Sequence, residues 1–173
     1  MKKLRIGPLF VGLVLLVQAS NAQTTDRTIE PFQVLELPLT VHEASLVRTD
    51  GAYHLTCVIS NNSEFRILGI TYALVAVDST NVVRAIANPR EALRLGPYAT
   101  KTVTFSTPLR RKIKDEYRLV LMVEQVLTRE YIWEVMKAKQ SLNAYAGGDY
   151  SAVPRVLRLA NEVDVPPRPV VIY

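Results

Sequence analysis

The chain has 173 residues, 21 Lys and Arg against 16 Asp and Glu, and one cysteine, Cys57. Three of the 21 basic residues, Lys2, Lys3 and Arg5, stand in the first five positions, so 18 face 16 in the remainder. That balance lacks the clustered positive charge of a nucleic-acid binder, and a single thiol excludes an internal disulfide.

Met1-Lys2-Lys3-Leu4-Arg5 is followed by an apolar run from Ile6 to Val17 and then by Gln18-Ala19-Ser20-Asn21-Ala22. Basic, apolar and small-residue segments in that order are what signal peptidase reads, with cleavage after Ala22. The run is about 12 residues long, short of the roughly 20 that span a bilayer. No later stretch is apolar enough for a span, and no cysteine stands at the cleavage site for a lipid anchor. Residues 1–22 are therefore expected to be a leader, and the chain an exported protein, periplasmic or extracellular. About 150 residues remain, enough for one domain with a core.

Residues 23–33 are polar and read as a flexible segment. From Val34 the pattern alternates, with Leu35, Leu37, Leu39 and Val41 inward, and Pro38 marks an edge strand. Glu43 to Ser60 reads as a hairpin around Asp50-Gly51, a favoured two-residue turn. Closing it with Thr49 opposite Ala52 puts Leu46 opposite Leu55, Ser45 opposite Thr56 and Ala44 opposite Cys57, so like meets like. The inward parity changes near His42–Glu43, which predicts a bulge there. Cys57 then faces the core with Tyr53, Leu55 and Ile59, as a small hydrophobe.

Arg66 to Val77 is nearly continuous in apolar and β-favouring residues and predicts a central strand, with Val82 to Ala87 as its shorter partner. Asn88-Pro89-Arg90 and Leu95-Gly96-Pro97-Tyr98 read as breakers around a short connection. Thr100 to Ser106 alternates with Val103 and Phe105 inward. Pro108 to Lys112 is a basic loop. Tyr117 to Val126 and Tyr131 to Val135 form a final hairpin, inward through Tyr117, Leu119, Leu121 and Val123 and through Tyr131, Trp133 and Val135. Met136 to Tyr145 has helix formers and a stop at Gly147-Gly148. Ser151 to Asn161 reads as a second helix, capped by Ser151, with Pro154 in its first turn and Val153, Leu157 and Ala160 on one face. Val165-Pro166-Pro167-Arg168-Pro169 must be extended, and Val170 to Tyr173 ends the chain apolar.

These elements define an all-β protein: an immunoglobulin-like antiparallel β-sandwich of about seven strands over residues 34–136, with a short, partly helical and Pro-rich C-terminal extension over 137–173. Three passages carry a family resemblance: Val58-Ile59-Ser60-Asn61-Asn62-Ser63, then Ile70 through Asp78 with Val82-Val83, and then Leu93 through Phe105. Together they resemble bacterial exported immunoglobulin-like modules of the FxLYD type over about half of the exported chain. Leu74-Val75-Ala76-Val77-Asp78 stands where that motif would fall. The resemblance implies a fold and no catalytic site.

The residues assign no catalytic, metal or cofactor site. His54 and Cys57 have opposite parity on one strand and point to opposite faces. The chain has no nucleophile elbow, phosphate-cradling loop or zinc-protease pair. The expected function is a non-enzymatic binding or structural module whose partner is another envelope or extracellular protein. The runner-up is an envelope assembly factor or chaperone-like subunit acting by β-strand addition. A hydrolase with a site hidden from the linear sequence is the third reading. Tyr145, Tyr150, Leu157, Arg168, Val171 and Tyr173, in the C-terminal segment, are the candidate partner-binding residues.

Overall fold

A computed structural model describes residues 25–49, 51–109, 113–151 and 153–161. Residues 1–24, which include the expected leader, and residues 162–173 lie outside it. The strands are β1 (Thr25–Phe32), β2 (Leu39–Thr49), β3 (Ala52–Asn61), β4 (Ile67–Val77), β5 (Val83–Ala87), β6 (Arg90–Leu95), β7 (Thr100–Ser106), β8 (Arg118–Thr128), β9 (Tyr131–Val135) and β10 (Val156–Ala160). One helix, α1 (Ala138–Ala146), lies between β9 and β10.

The ten strands form one curled, hydrogen-bonded sheet. In one half, β1, β2, β3 and β7 run antiparallel in that order. In the other, β4 and β8 are the central pair, β5 and β6 share the far edge of β4, and β9 and β10 follow β8 outward. The halves are joined by β1. Thr25–Ile29 pairs antiparallel with β2, and Glu30–Phe32 then pairs parallel with Val120–Met122 of β8.

The hairpin register holds as read from sequence: Thr49 opposite Ala52, Leu46 opposite Leu55, Ser45 opposite Thr56 and Ala44 opposite Cys57. Gly51 supplies the positive φ of its turn, at 82°. The bulge falls between Val41 and Glu43. β4 is the central strand, paired along both edges and buried at nearly every position. The all-β class with a short helical extension holds too.

Other expectations are corrected. Residues 25–32 of the supposedly flexible segment are β1, with Ile29 and Phe32 buried. Its two apolar side chains give little periodic signal, and the strand is held by backbone ladders to two neighbours. Leu35 is 93 % exposed, because the chain turns after Val34 and the strand begins only at Leu39, beyond Pro38. The passage between the breakers is β6, whose Leu93 and Leu95 are buried. Among the described residues there are ten strands, eight of them within 34–136, where about seven are expected. The second helix does not form. Asp149 Oδ1 accepts from the amide and hydroxyl of Ser151 (3.1 and 2.6 Å), making a turn, and Val156–Ala160 pairs with β9. Leu157 and Ala160 are exposed strand residues, and Val153 lies exposed before the strand.

The core is one cluster drawn from the inner faces of both halves. Tyr72 of β4 crosses it: the ring lies 5.9 Å from that of Phe105 on β7, and the hydroxyl hydrogen-bonds Thr107 Oγ1 at 3.0 Å. The expected inward residues of β8, Leu119, Leu121 and Val123, are buried, and Val120 and Met122 on the opposite face are buried as well. Helix α1 packs against β8 and buries Leu142 and Ala146.

Burial pushes the Cys57 thiol from its ordinary value of 9.0 up to about 12, and the Tyr72 phenol from 10.0 to about 12. For both groups the unfolded chain ionises first. Stability from this source is thus complete below the unfolded pKa and falls as pH rises from about 9 to about 12. Denaturant titrations across that range should give a midpoint that declines with pH. Over the same range, a soluble disulfide reagent should label Cys57 at the rate of global or local opening, not that of a free thiol; prompt labelling of the folded chain would contradict the buried position.

Candidate interaction surface at the sheet edge

One of the candidate residues, Tyr145, anchors the helix. Tyr145 donates to Glu30 Oε1 at 2.6 Å, and its ring stacks on Phe32 at 4.1 Å between centroids with 9° between planes. Arg118 donates to Glu30 Oε2 at 2.7 Å and to the Ala146 carbonyl at 2.6 Å, placing a cation at the helix C-terminus, where the helix dipole favours one. The hydrogen bond to Glu30, with burial adding, raises the Tyr145 phenol to about 12. Tyr150 stands edge-on to Tyr145 at 5.1 Å and is otherwise exposed. Tyr145 is thereby committed to the fold, while Tyr150 remains open to solvent. Arg168, Val171 and Tyr173 lie outside the described residues.

Leu157 is the third candidate within the described residues, and it lies on β10, at the end of the strand order. The pairing register sorts the residues around it into rows. Ile70, Val126, Trp133 and Arg158 form one row across β4, β8, β9 and β10, and the first three are buried in the core. Gly69, Leu127, Ile132 and Leu159 form a row on the opposite face, and Thr71, Gln125, Glu134 and Leu157 form the next. Leu157 and Leu159 are 44 % and 46 % exposed, and Leu127 and Ile132 are half-buried.

Where the core row reaches the edge, Arg158 closes it. Its guanidinium carbon lies 3.9 Å from the centroid of the Tyr131 ring, 5.8 Å from that of Trp133 and 6.0 Å from that of Phe65. The three rings pack on one another at 5.0 to 5.8 Å. Among the described residues no carboxylate lies within ion-pair distance of Arg158. The negative faces of the aromatic rings are its counterpart.

Sequence reasoning singled out Leu157 through a helical pattern that does not exist. It missed Arg158 and Phe65, because nothing in the linear order links positions 65, 131 and 158 until strand pairing brings them together.

A second cluster lies on the outer face of the first half. His42 Nε2 and Ser60 Oγ are 2.7 Å apart, and Ser60 Oγ is 2.6 Å from Thr100 Oγ1. The pair resembles a nucleophile with its base, yet among the described residues no carboxylate hydrogen-bonds the imidazole to orient it, and its neighbours are the hydroxyls of a cross-strand ladder. An open cleft of about 720 Å³ lies where β1 leaves β2, lined by Asp26, Glu30, His42, Glu43 and Arg118 among others. Another, of about 700 Å³, separates α1 from β4 and β5. Among the described residues no group of three His, Cys, Asp or Glu side chains could hold a metal ion, and no helix is long and apolar enough to cross a membrane.

Comparison of the chain with protein-family models, with curated proteins and with solved structures finds no match.

Glu30 links β1, β8 and α1, so its removal should be felt in the helix. In Glu30→Ala the Tyr145 phenol should titrate lower, back toward 10.0, in an ultraviolet absorbance titration. The Leu142 amide should exchange faster with solvent. The Glu30–Arg118 pair is over a third exposed, so its loss should cost about 1 kcal/mol or less.

Proposed function

We propose that this chain is an exported, non-enzymatic binding module of immunoglobulin-like build that engages another envelope or extracellular protein through the β9–β10 edge. The observation that carries the reading is the exposed strand β10, whose Leu159 extends the apolar row of Leu127 and Ile132 to the rim of the sheet, with Leu157 beside it on the same face opposite Glu134. A short, partly apolar strand with one edge unpaired among the described residues suits the addition of a partner's strand, because backbone groups supply affinity and alternate side chains supply selectivity. The leader pattern supports export. The facing of the two sheet halves across Tyr72 and Phe105 supports the immunoglobulin-like reading.

The same edge favours the second reading, an envelope assembly factor or chaperone-like subunit that offers or accepts a strand. A passive module should hold one or a few fixed partners, whereas a chaperone-like subunit should hold many unfolded envelope proteins.

Crosslinking in the native cell followed by mass spectrometry tests the surface. The double variant Leu157→Glu, Leu159→Glu places charge on the exposed apolar face of β10 without touching the buried core. It should fold, as judged by circular dichroism, and lose the crosslinked partner about tenfold or more. A folded variant with an unchanged set of crosslinks would remove the edge from the proposal.

A further inference from the structure

We infer that the edge of β9 is a strand-acceptor slot occupied by the chain's own β10, and that the Phe65–Tyr131–Trp133 cluster selects an incoming partner strand carrying arginine between two aliphatic residues. The inference rests on the binding-module reading at the β9–β10 edge and makes the mode exchange for β10 rather than addition beside it, so Leu157→Glu, Leu159→Glu should loosen β10 and strengthen capture if exchange is the mode, and weaken it if addition is.

β10 has the character of a bound peptide. It is five residues long, and none of its side chains is fully buried. Polar contacts hold its ends. The Met136 amide donates to the Arg155 carbonyl at 2.7 Å, the Asn161 amide donates to the Glu130 carbonyl at 2.8 Å, and Asn161 Nδ2 donates to the Thr128 carbonyl at 2.9 Å. The Val156 amide donates to Glu36 Oε2 at 3.1 Å. Between them the ladder to β9 runs from Val156 opposite Val135 to Ala160 opposite Tyr131. Displacing such a strand exposes little apolar surface, and opening free energies are lowest where buried contacts are few.

The slot that β10 fills is more specific than its ladder. The central position points to the core side, where Ile70, Val126 and Trp133 end in a half-open ring cluster. A guanidinium suits that place on three counts: its flat face stacks on Tyr131, its charge meets the ring faces, and its stem covers the end of the apolar row while the head stays wet. A lysine would supply charge without the planar stack. The flanking positions point to the opposite face, where Leu157 and Leu159 stand beside Glu134 and Ile132. The recognised pattern is therefore aliphatic–arginine–aliphatic in an extended strand, and β10 is the stand-in that displays it.

Wild-type chain resists exchange because a tethered strand competes at an effective concentration on the order of millimolar. The chain's single tryptophan, Trp133, lies under the subsite and reports on it. The test uses the full exported chain, wild type and Arg158→Ala, titrated with a fluorescent peptide copying residues 155–161 and with a second peptide bearing alanine at the position of Arg158 and keeping the arginine at that of Arg155. Arg158→Ala should bind the arginine peptide about tenfold or more tighter than wild type does, and about tenfold tighter than it binds the alanine peptide, with a change in Trp133 emission.

Hydrogen exchange on the wild type is the parallel measurement should the variant not fold. Excess arginine peptide should accelerate exchange at the amides of Val156–Ala160 and leave β4 unchanged. Equal affinity of the folded variant for the two peptides, or no saturable binding by it together with unchanged exchange in β10, overturns the slot. So does light scattering that shows dimers exchanging β10, since the occupant is then a second copy of the chain. A native-cell partner that stays bound to Arg158→Ala and is not displaced by the peptide removes the slot while leaving the binding-module reading intact.

Discussion

The change of partner along β1 is the constraint on which the rest of the architecture depends. A strand has two hydrogen-bonding edges, and β1 spends its first residues on β2 and its last on β8. Two half-sheets that would otherwise be linked by loops become one bonded body, curled so that their inner faces enclose a single core. Cys57, Leu55, Tyr72 and Phe105 are buried because that curl brings opposed faces together. The parting of β1 from β2 also opens the cleft beside His42 and Glu43, where the bulge of β2 turns the strand.

The hand-over places Glu30 beside Arg118, and that pairing organises the outer face. Glu30 takes hydrogen bonds from Arg118 and Tyr145, and Arg118 reaches the last carbonyl of α1. Ion pairing at this exposure contributes modestly. The larger effect is positional: Phe32 receives the Tyr145 ring, and the helix lies over β8, whose Val120 and Met122 are buried on that side. Further along β8 and β9, Leu127 and Ile132 stay half-exposed. Beyond them the sheet ends at β10, in which polar contacts and a stacked guanidinium hold a strand that buries little. An accessible, chemically distinctive edge is thus a direct result of where β1 and α1 lie.

Local pattern was a faithful guide wherever turn chemistry and periodicity agreed. The Asp50-Gly51 turn, the parity change at His42–Glu43 and the alternation on either side left one register for β2 and β3, and the structure has it. It misled where a strand owes its existence to neighbours. β1 carries only Ile29 and Phe32 as buried apolar residues; β6 is six residues bracketed by breakers; β10 has a composition that suits a helix equally well. Each is secured by a ladder to a strand distant in sequence, a term no local window contains. For the candidate site, Leu157 was reached by way of a helix that does not form, while Arg158 and its three rings were out of reach.

Taken alone, the amino-acid order determined the β class, the β2–β3 register, the inward position of Cys57, the central strand β4 and the short helix before Gly147, because turn geometry and side-chain period act over a few residues. Only the tertiary structure decided that β1 bridges both halves, that residues 156–160 are a strand, and that Phe65, Tyr131, Trp133 and Arg158 meet. Those outcomes depend on contacts between residues up to 120 positions apart along the chain, as from Glu36 to Val156, and 93 apart from Phe65 to Arg158. Their energy is released only when the whole sheet has closed.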